Sequence, residues 1–270
     1  MIDRAIGVFD SGIGGLSVLR ALRAELPHEH FIYIADSGHA PYGERAEVHV
    51  LARSRAVAQF LAGHHVKALV MACNTATAAA IALLRAEHPD LALIGVEPAL
   101  KPAAAISQTG RIGVFATRST LASAKFQALL ASQAGKAVFI LQPCDGLAYA
   151  IEHSAKTGDT TETIALCARY TSTTGLFGTK NGQIDTLVLG CTHYPLASEQ
   201  LRALLGPEVQ LVDNGEAVAR QARRLLLPGP TPIHHPPGRV SLFATGDPQT
   251  LQAAAGRWLS LSAPVTLLDC

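Results

Sequence analysis

The feature that most constrains the fold is an alternation of short apolar runs with longer stretches of helical periodicity. Eight runs rich in Val, Ile, Leu and Phe are predicted to be β-strands, at residues 5–9, 31–35, 68–72, 92–96, 112–116, 137–141, 186–190 and 209–212. Between them, stretches such as 15–26, 46–63 and 75–87 place apolar residues at helical spacing. Strands that are apolar on both faces and alternate with helices form parallel sheets flanked by helices. The chain is therefore predicted to be an α/β protein that binds its ligand at the carboxyl ends of the strands.

An internal repeat divides this pattern into two halves. Residues 6–11 read IGVFDS and 112–117 read IGVFAT, while 68–75 read ALVMACNT and 186–193 read TLVLGCTH. A duplicated α/β unit would place Cys73 and Cys191 at equivalent positions, each just after a buried strand. If the halves face each other around a pseudo-twofold axis, the two thiols meet across one cleft. The alternative is a chance similarity between two strands of parallel sheets.

Composition and charge exclude several classes of protein. The 270 residues suffice for one large core or two moderate ones. A formal net charge of +1, without a long charged run, predicts neither a nucleic-acid nor a membrane partner. The first residues, MIDRAIGVFD, lack the features of a secretory signal, and no run of about 20 apolar residues occurs. We therefore expect a cytoplasmic protein.

The cysteines indicate neither a disulfide framework nor a metal site. There are five of them: Cys73, Cys144, Cys167, Cys191 and Cys270. An odd number in a chain of this kind argues against paired disulfides. Neither a CxxC pair nor a Cys-His zinc spacing is present, so no metal is expected. Cys144 and Cys167 are interpreted as small buried apolar residues.

Two facing thiols suit acid–base chemistry at a single carbon atom. A thiol beside a helix start has its thiolate form favoured by backbone N–H groups and the helix dipole. One thiolate could remove a proton while a thiol on the opposite face delivers one, which inverts the carbon. Polar residues that could hold a substrate carboxylate follow both cysteines: Asn74, Thr75 and Thr77 in one half, and Thr192, His193 and Tyr194 in the other.

Two further loops are predicted to lie near the thiols. The loop 10–15 (DSGIGG) is glycine-rich but lacks the spacing of a dinucleotide-binding or phosphate-binding loop, and a tight turn is its alternative interpretation. Asp10 and Ser11 at this strand end could bind an ammonium group or relay a proton. The loop 36–43 (DSGHAPYG) could present backbone amides to a ligand, and Asp36 is equally compatible with a capping role. Residues 171–183 and 228–240 are predicted to be irregular connections.

Seven motifs together carry a resemblance to a known family. They are FDSGIGGLSV (9–18), PYGER (41–45), ACNTAT (72–77), VEPALKPA (96–103), GVFAT (113–117), GCTHYP (190–195) and VDNGEAVA (212–219). In this order, over about residues 5–225, the chain resembles the glutamate racemases of the aspartate/glutamate racemase superfamily. CNT and GCTHYP are specific as a pair, and FDSGIGGLSV favours the glutamate branch.

The resemblance implies a fold, an activity and a set of partners. It implies two pseudo-symmetric, flavodoxin-like domains, residues 1–97 plus 209–270 and residues 98–208, with the active site in the cleft between them. It implies interconversion of L- and D-glutamate without pyridoxal phosphate, metal or nucleotide, so no cofactor is expected. The product, D-glutamate, supplies bacterial peptidoglycan synthesis. A homodimer is compatible with the resemblance, because the family often forms dimers.

The resemblance also implies roles for individual residues. Cys73 would deprotonate D-glutamate with the assistance of Asp10. Cys191 would deprotonate L-glutamate with the assistance of His193 and Glu152. The positions that match the family's substrate contacts are Asp10, Ser11, Tyr42, Gly43, Asn74, Thr75, Thr192 and His193.

Three places depart from the family pattern. Asn214-Gly215 stands where the family usually has Ser-Ala, His39 replaces other residues, and the sequence around Glu152 resembles the family only loosely. Neither Cys73 nor Cys191 is among these departures. The reaction is therefore expected to be retained, and the geometry of the loops to differ.

Three alternatives remain open at the level of sequence. An aspartate or hydantoin racemase would use the same two cysteines, so the choice of substrate must separate them. A non-catalytic two-lobed binder of acidic ligands would have no need for thiols at both strand ends. A thiol-redox protein would require the two thiols to form a disulfide, and their spacing matches no redox motif.

Overall fold

A computed structural model describes residues 4–227 and 236–269 of the chain. Its strands, in chain order, are β1 (Ile6–Asp10), β2 (Phe31–Ala35), β3 (Ala68–Met71), β4 (Ala92–Gly95), β5 (Arg111–Ala116), β6 (Val138–Pro143), β7 (Thr186–Leu189), β8 (Gln210–Val212), β9 (Val240–Ala244) and β10 (Val265–Leu267). Within the described residues they form a six-stranded sheet in the order β10-β9-β2-β1-β3-β4 and a four-stranded sheet in the order β6-β5-β7-β8. All the strand pairs are parallel. The prediction of an α/β fold with two parallel sheets flanked by helices is confirmed.

Helices connect the strands and cover the sheets. They are α1 (Leu16–Glu25), α2 (Glu47–Gly63), α3 (Asn74–Glu87), α4 (Leu100–Ile106), α5 (Arg118–Ala122), α6 (Ala124–Ala131), α7 (Leu147–Thr157), α8 (Thr161–Thr174), α9 (Ser198–Leu205), α10 (Gly215–Leu226) and α11 (Pro248–Leu259). Single turns of 3₁₀-helix lie at Ser37–His39, Tyr42–Glu44 and Tyr194–Ala197. α1, for example, buries an apolar stripe that contains Leu16, Leu19 and Leu22. None of the helices in the described part of the chain is long and apolar enough to cross a membrane.

All eight predicted strands are present, but β9 and β10 were missed. β9 lies between β2 and β10 and buries only Leu242 and Ala244. β10 is an edge strand of three residues with two of them exposed. Short, half-exposed strands lack the continuous apolar run by which the central strands are found.

One predicted loop is partly wrong. Residues 171–174, assigned to an irregular connection, form the end of α8. The threonines there are accommodated because their hydroxyls donate to carbonyls one turn earlier, Thr171 to Cys167 at 2.9 Å and Thr174 to Tyr170 at 2.6 Å. Of the predicted connection 228–240, residues 228–235 lie outside the described residues, as does Cys270, and Val240 begins β9.

The chain passes from the first sheet to the second and back again. β5 to β8 form the second sheet, so the chain returns to the first sheet after Val212. The predicted second domain, residues 98–208, would place this return before β8. We call each sheet with its flanking helices a unit. After β8, α10 packs on α1, which belongs to the first unit. The division into two domains predicted above stays a prediction, and the sheet order places its second boundary a few residues later.

The two sheets meet through the ends of their strands. Ser11 follows β1 and Cys73 follows β3 by two residues, while Cys191 follows β7 by two residues. Hydrogen bonds join the two units there: the Thr192 hydroxyl to Asp10 at 3.4 Å, and the Thr75 hydroxyl with that of Thr117 at 3.1 Å. The carboxyl ends of both sheets therefore face one another, where ligands of parallel sheets bind.

Candidate active site

A cavity of about 290 Å³ lies between the carboxyl ends of the two sheets. It is lined by ten of the residues singled out in the sequence: Ser11, Tyr42, Gly43, Cys73, Asn74, Thr75, Glu152, Cys191, Thr192 and His193. Thr77 and Tyr194 do not line it, because their buried hydroxyls donate to backbone carbonyls, Thr77 to Met71 at 3.2 Å and Tyr194 to Cys144 at 3.3 Å. Asp10 lies behind this wall with no exposed surface. Residues from both halves of the chain therefore converge on one space.

Cys73 occupies the start of α3, where a helix offers free backbone amides. Its Sγ accepts a hydrogen bond from the Ala76 amide at 3.5 Å and donates to the Ser11 hydroxyl at 3.7 Å. The side chain is 5% exposed. Burial raises the pKa of the Cys73 thiol, and the neighbouring charge of Asp10 raises it further. Cys73 therefore favours its neutral, proton-donating form.

Asp10 is a buried carboxyl group beside Cys73. It accepts hydrogen bonds from the Gly15 amide at 2.7 Å and from the Thr192 hydroxyl. Burial raises the pKa of Asp10, and this effect exceeds the opposing effect of the charge on His193. A carboxyl group with a raised pKa next to a thiol can exchange a proton with it.

The glycines of the DSGIGG loop explain how Asp10 reaches this position. A Cβ on Gly15 would lie 2.6 Å from the Cβ of Asp10 and 2.9 Å from the Tyr33 hydroxyl oxygen. Only a residue without a side chain lets the backbone amide come within hydrogen-bond distance of the carboxylate. The tight-turn and site interpretations of this loop are therefore compatible, because the turn holds the carboxylate.

Cys191 has a different set of partners. Its Sγ lies 3.8 Å from His193 Nδ1, and His193 Nε2 lies 2.8 Å from Glu152 Oε2. Burial lowers the pKa of His193, but the hydrogen bonds to Cys191 and Glu152 outweigh burial and raise it well above its ordinary value. His193 therefore favours its cationic form, with the Cys191 sulfur on one side of the ring and the Glu152 carboxylate on the other.

The two thiols are thus equivalent in position but not in electrostatics. A carboxyl group lies beside Cys73, whereas an imidazolium backed by Glu152 lies beside Cys191. The thiols are close enough for charge on Cys191 to raise the pKa of Cys73. The site accordingly favours a proton on Cys73 and places a cationic imidazole beside Cys191.

Thr117 is a cavity residue that the sequence analysis missed. Its hydroxyl lies 3.1 Å from that of Thr75 and donates to that of Thr120 at 2.9 Å. The internal repeat could have identified Thr117, because it aligns Thr117 of IGVFAT with Ser11 of IGVFDS. Gly43 packs against it: a Cβ on Gly43 would lie 2.7 Å from the Thr117 Cγ2 atom. Glycine at this position therefore allows the loop to close against the second unit.

Asp36 precedes the 3₁₀ turn Ser37–His39, but its side chain neither caps that turn nor lines the cavity. Its buried carboxylate accepts hydrogen bonds from Tyr42, from Arg53 at 2.9 and 3.0 Å and from Thr245 at 2.8 Å. Burial raises the pKa of Asp36, but these hydrogen bonds outweigh burial and lower it. An ionised Asp36 therefore anchors Tyr42, whose side chain lines the cavity, to α2 and to the end of β9.

The cavity is also lined by residues that the sequence analysis did not assign to a site. These include Cys144, Tyr149, His153, Lys156, Asp247 and Thr250. Cys144 is buried as expected, at 2% exposure, and it also borders the cavity. Lys156 of α7 pairs with Asp247, which precedes α11, at 2.7 Å, so the last segment of the chain contributes to the rim. The described residues contain no cluster of three His, Cys, Asp or Glu side chains arranged to hold a metal ion.

Comparison with known proteins gives consistent matches over the whole chain. The sequence model of the Asp/Glu/Hydantoin racemase family matches residues 8–222. The chain is 45% identical to glutamate racemase of Ectopseudomonas mendocina over 260 residues, which is 96% of both chains. Glutamate racemase isoform RacE1 of Bacillus anthracis superposes with a TM-score of 0.85 at 31% identity, over 100% of this chain and 98% of that one. Escherichia coli glutamate racemase, solved with L-glutamate and the activator UDP-MurNAc-Ala, gives a TM-score of 0.81 at 31% identity over 98% of both chains.

Proposed function

Since the chain belongs to the Asp/Glu/Hydantoin racemase family, we propose that it interconverts L- and D-glutamate with Cys73 and Cys191 as the two proton carriers. The observation that carries the proposal is the pair of buried thiols at equivalent strand ends of one cavity, each with its own acid–base partner. The relatives described above, all named glutamate racemases and covering 96% to 100% of this chain, support glutamate as the substrate.

The reaction from L-glutamate begins at the Cys191 side. The Cys191 thiolate takes the α-proton, and the Cys73 thiol delivers a proton to the opposite face of the same carbon. The product is D-glutamate, and the enzyme is left with a thiol at Cys191 and a thiolate at Cys73. Proton exchange through His193 on one side and Asp10 on the other restores the starting form, or D-glutamate reacts in reverse.

The cavity must also stabilise charge that develops on the substrate. An α-proton of an amino acid is a very weak acid, so fixed hydrogen-bond donors must hold the carboxylate as negative charge spreads into it. The amino end of α3, which begins at Asn74, supplies backbone N–H groups and the positive end of a helix dipole. The proposed substrate contacts in the cavity wall are Ser11, Tyr42, Gly43, Asn74, Thr75, Thr192 and His193. Asp10, which the resemblance adds to this set, has no exposed surface and is proposed to act through Cys73.

The alternatives differ in what they require of this site. Aspartate and hydantoin racemases would need the same two thiols, and the identity to proteins named glutamate racemase favours glutamate over them. A binding protein would have no use for a raised carboxyl pKa at Asp10 beside one thiol and a cationic His193 beside the other. The acid–base partners therefore favour catalysis over binding alone.

The test is an exchange experiment in D2O. The purified, chelator-treated protein is incubated with L-glutamate without added cofactor, and optical rotation and Cα deuteration are followed together. Loss of rotation with deuterium at Cα supports racemisation by two bases. Deuteration without loss of rotation would contradict the two-base scheme. If neither signal appears, the same assay with aspartate and hydantoins separates a sister racemase from a binding protein.

Replacing Glu152 by glutamine is expected to move the alkaline limit of activity to lower pH. The hydrogen bond to Glu152 helps to raise the pKa of His193, so the amide should lower that pKa. His193 would then lose its proton, and with it the support for negative charge on Cys191, at a lower pH than in the wild type. The measurement is kcat/KM for L-glutamate against pH, with Glu162→Gln on the exposed face of α8 as the control. An unmoved alkaline limb would contradict the role proposed for Glu152.

The proposal extends to the cellular setting of the enzyme. D-Glutamate is a building block of bacterial peptidoglycan, so the proposed activity supplies cell-wall synthesis from the cytoplasm. We include a homodimer in the proposal because the family often forms dimers. Light scattering coupled to size-exclusion chromatography tests this part, and a mass near the 28.3 kDa of one chain would contradict it.

A further inference from the structure

Asn214 stands immediately before α10, where an asparagine side chain ordinarily accepts a hydrogen bond from the first helical turn. Here its side chain makes no capping hydrogen bond. Asp213 supplies one instead, because its carboxylate accepts from the Gly215 amide at 2.8 Å. Asn214 is 5% exposed, so its polar side chain is buried for a purpose other than capping.

The Asn214 amide reaches across to the first sheet. Its Nδ2 donates to Asn74 Oδ1 at 3.4 Å and to the backbone carbonyl of Glu97 at 3.3 Å. Asn214 follows β8 of the second sheet, whereas Asn74 and Glu97 follow β3 and β4 of the first. An amide NH2 group has two N–H donors, and two acceptors fix its direction. The Asn214 amide therefore presents a donor to Asn74.

Asn74 has a donor of its own that no residue in the described part of the chain satisfies. Its Nδ2 is buried and without a hydrogen-bond partner, although the residue is only 4% exposed and borders the cavity next to Cys73. A buried donor without a partner is unfavourable. A carboxylate oxygen of a ligand in the cavity would satisfy it.

We propose that Asn214 is a positioning residue that determines which end of the Asn74 amide faces the substrate. By holding Asn74 Oδ1, it leaves Nδ2 to donate to a carboxylate of the amino acid. The same amide with its ends exchanged would present an oxygen to that carboxylate and repel it. This inference rests on the proposed function, because it takes an amino-acid carboxylate as the ligand.

The test is Asn214→Asp, which keeps the shape but can only accept hydrogen bonds when ionised. The Asn74 amide should then turn to donate to residue 214, so that its oxygen faces the substrate. KM for both enantiomers of glutamate is expected to rise about tenfold or more, the equivalent of one charge-assisted hydrogen bond, while kcat changes less than about threefold. An unchanged KM in a folded variant would overturn the inference.

A double-mutant cycle separates this effect from the added negative charge. In an Asn74→Ala background the amide is gone, so adding Asn214→Asp should change KM by less than about twofold. An equal rise in both backgrounds would show that charge alone acts, which overturns the inference. Asn214→Ala adds no charge and serves if Asn214→Asp does not fold. We expect it to raise KM about two- to threefold, and only while Asn74 is present.

Asp213→Ala is the matched control, because it removes the cap of the same helix without touching Asn74. It should lower the melting temperature and leave KM unchanged. A comparable rise in KM would assign the effect to the start of α10 in general and overturn the role of Asn214. Wild-type racemisation of glutamate is measured in parallel. Its absence would overturn the proposed function, whereas racemisation with unchanged KM in Asn214→Asp would overturn only this inference.

Discussion

Serine in place of Cys73 or Cys191 is expected to abolish racemisation, with kcat falling by at least about 10³-fold, or ~4 kcal/mol of transition-state stabilisation. A hydroxyl group is a much weaker acid than a thiol, so serine can neither exist as the base near neutral pH nor deliver a proton as readily. Both cysteines are buried in the cavity wall, at 5% and 8% exposure, so solvent is poorly placed to replace either of them.

The measurement is the rate of racemisation in both directions, alongside deuterium exchange at Cα. Cys167→Ala is the matched control, because Cys167 is a buried cysteine that packs in the core and does not line the cavity. It should keep the wild-type rate within a few-fold. Substantial racemisation by either serine variant would contradict the two-thiol mechanism, whatever the effect on stability.

Asparagine in place of Asp10 is expected to lower kcat/KM by about 10²- to 10⁴-fold, the usual contribution of a general acid–base group. The carboxyl group lies beside Cys73 with a raised pKa and is proposed to exchange a proton with that thiol. Because the two enantiomers have equal free energies, kcat/KM must fall by the same factor in both directions. Equal losses therefore do not distinguish catalysis from binding.

A deuterium isotope effect makes that distinction. If Asp10 assists Cys73, proton abstraction by Cys73 becomes more rate-limiting in the Asp10→Asn enzyme. The primary isotope effect with α-deuterated D-glutamate should then increase more than that with α-deuterated L-glutamate. Equal isotope effects with a raised KM for both enantiomers would assign Asp10 to substrate binding.

The same variant should not be less stable, which separates lost chemistry from lost structure. The folded protein raises the pKa of Asp10, so it keeps that proton to a higher pH than the unfolded chain does. The contribution of Asp10 to stability therefore decreases as pH rises from about 4 through the folded-state pKa. The Asp10→Asn variant lacks this pH-dependent loss of stability. Its denaturation midpoint at pH 7 should therefore equal or exceed that of the wild type. A lower midpoint would indicate a structural defect.

Sequence patterns were sufficient for the central framework because the physical cause of each element is local. A continuous apolar run such as 186–190 has the length and composition of a strand buried on both faces, and the structure has β7 there. The repeat added a symmetry argument that placed Cys73 and Cys191 at equivalent strand ends, and both line one cavity. β9 and β10 were not predicted because both are short and only partly buried, so neither has the continuous apolar run of a central strand.

The positions of the two thiols were thus determined by the sequence, whereas their acid–base partners were decided by the tertiary structure. Asp10 and Cys73 are far apart in sequence, as are Glu152 and His193, and only folding brings each pair together. The hydrogen bond from Asn214 to Asn74 likewise joins residues at the ends of strands in different sheets. The physical reason is that pKa shifts and side-chain directions depend on burial and on partners a few ångströms away, which no local pattern encodes.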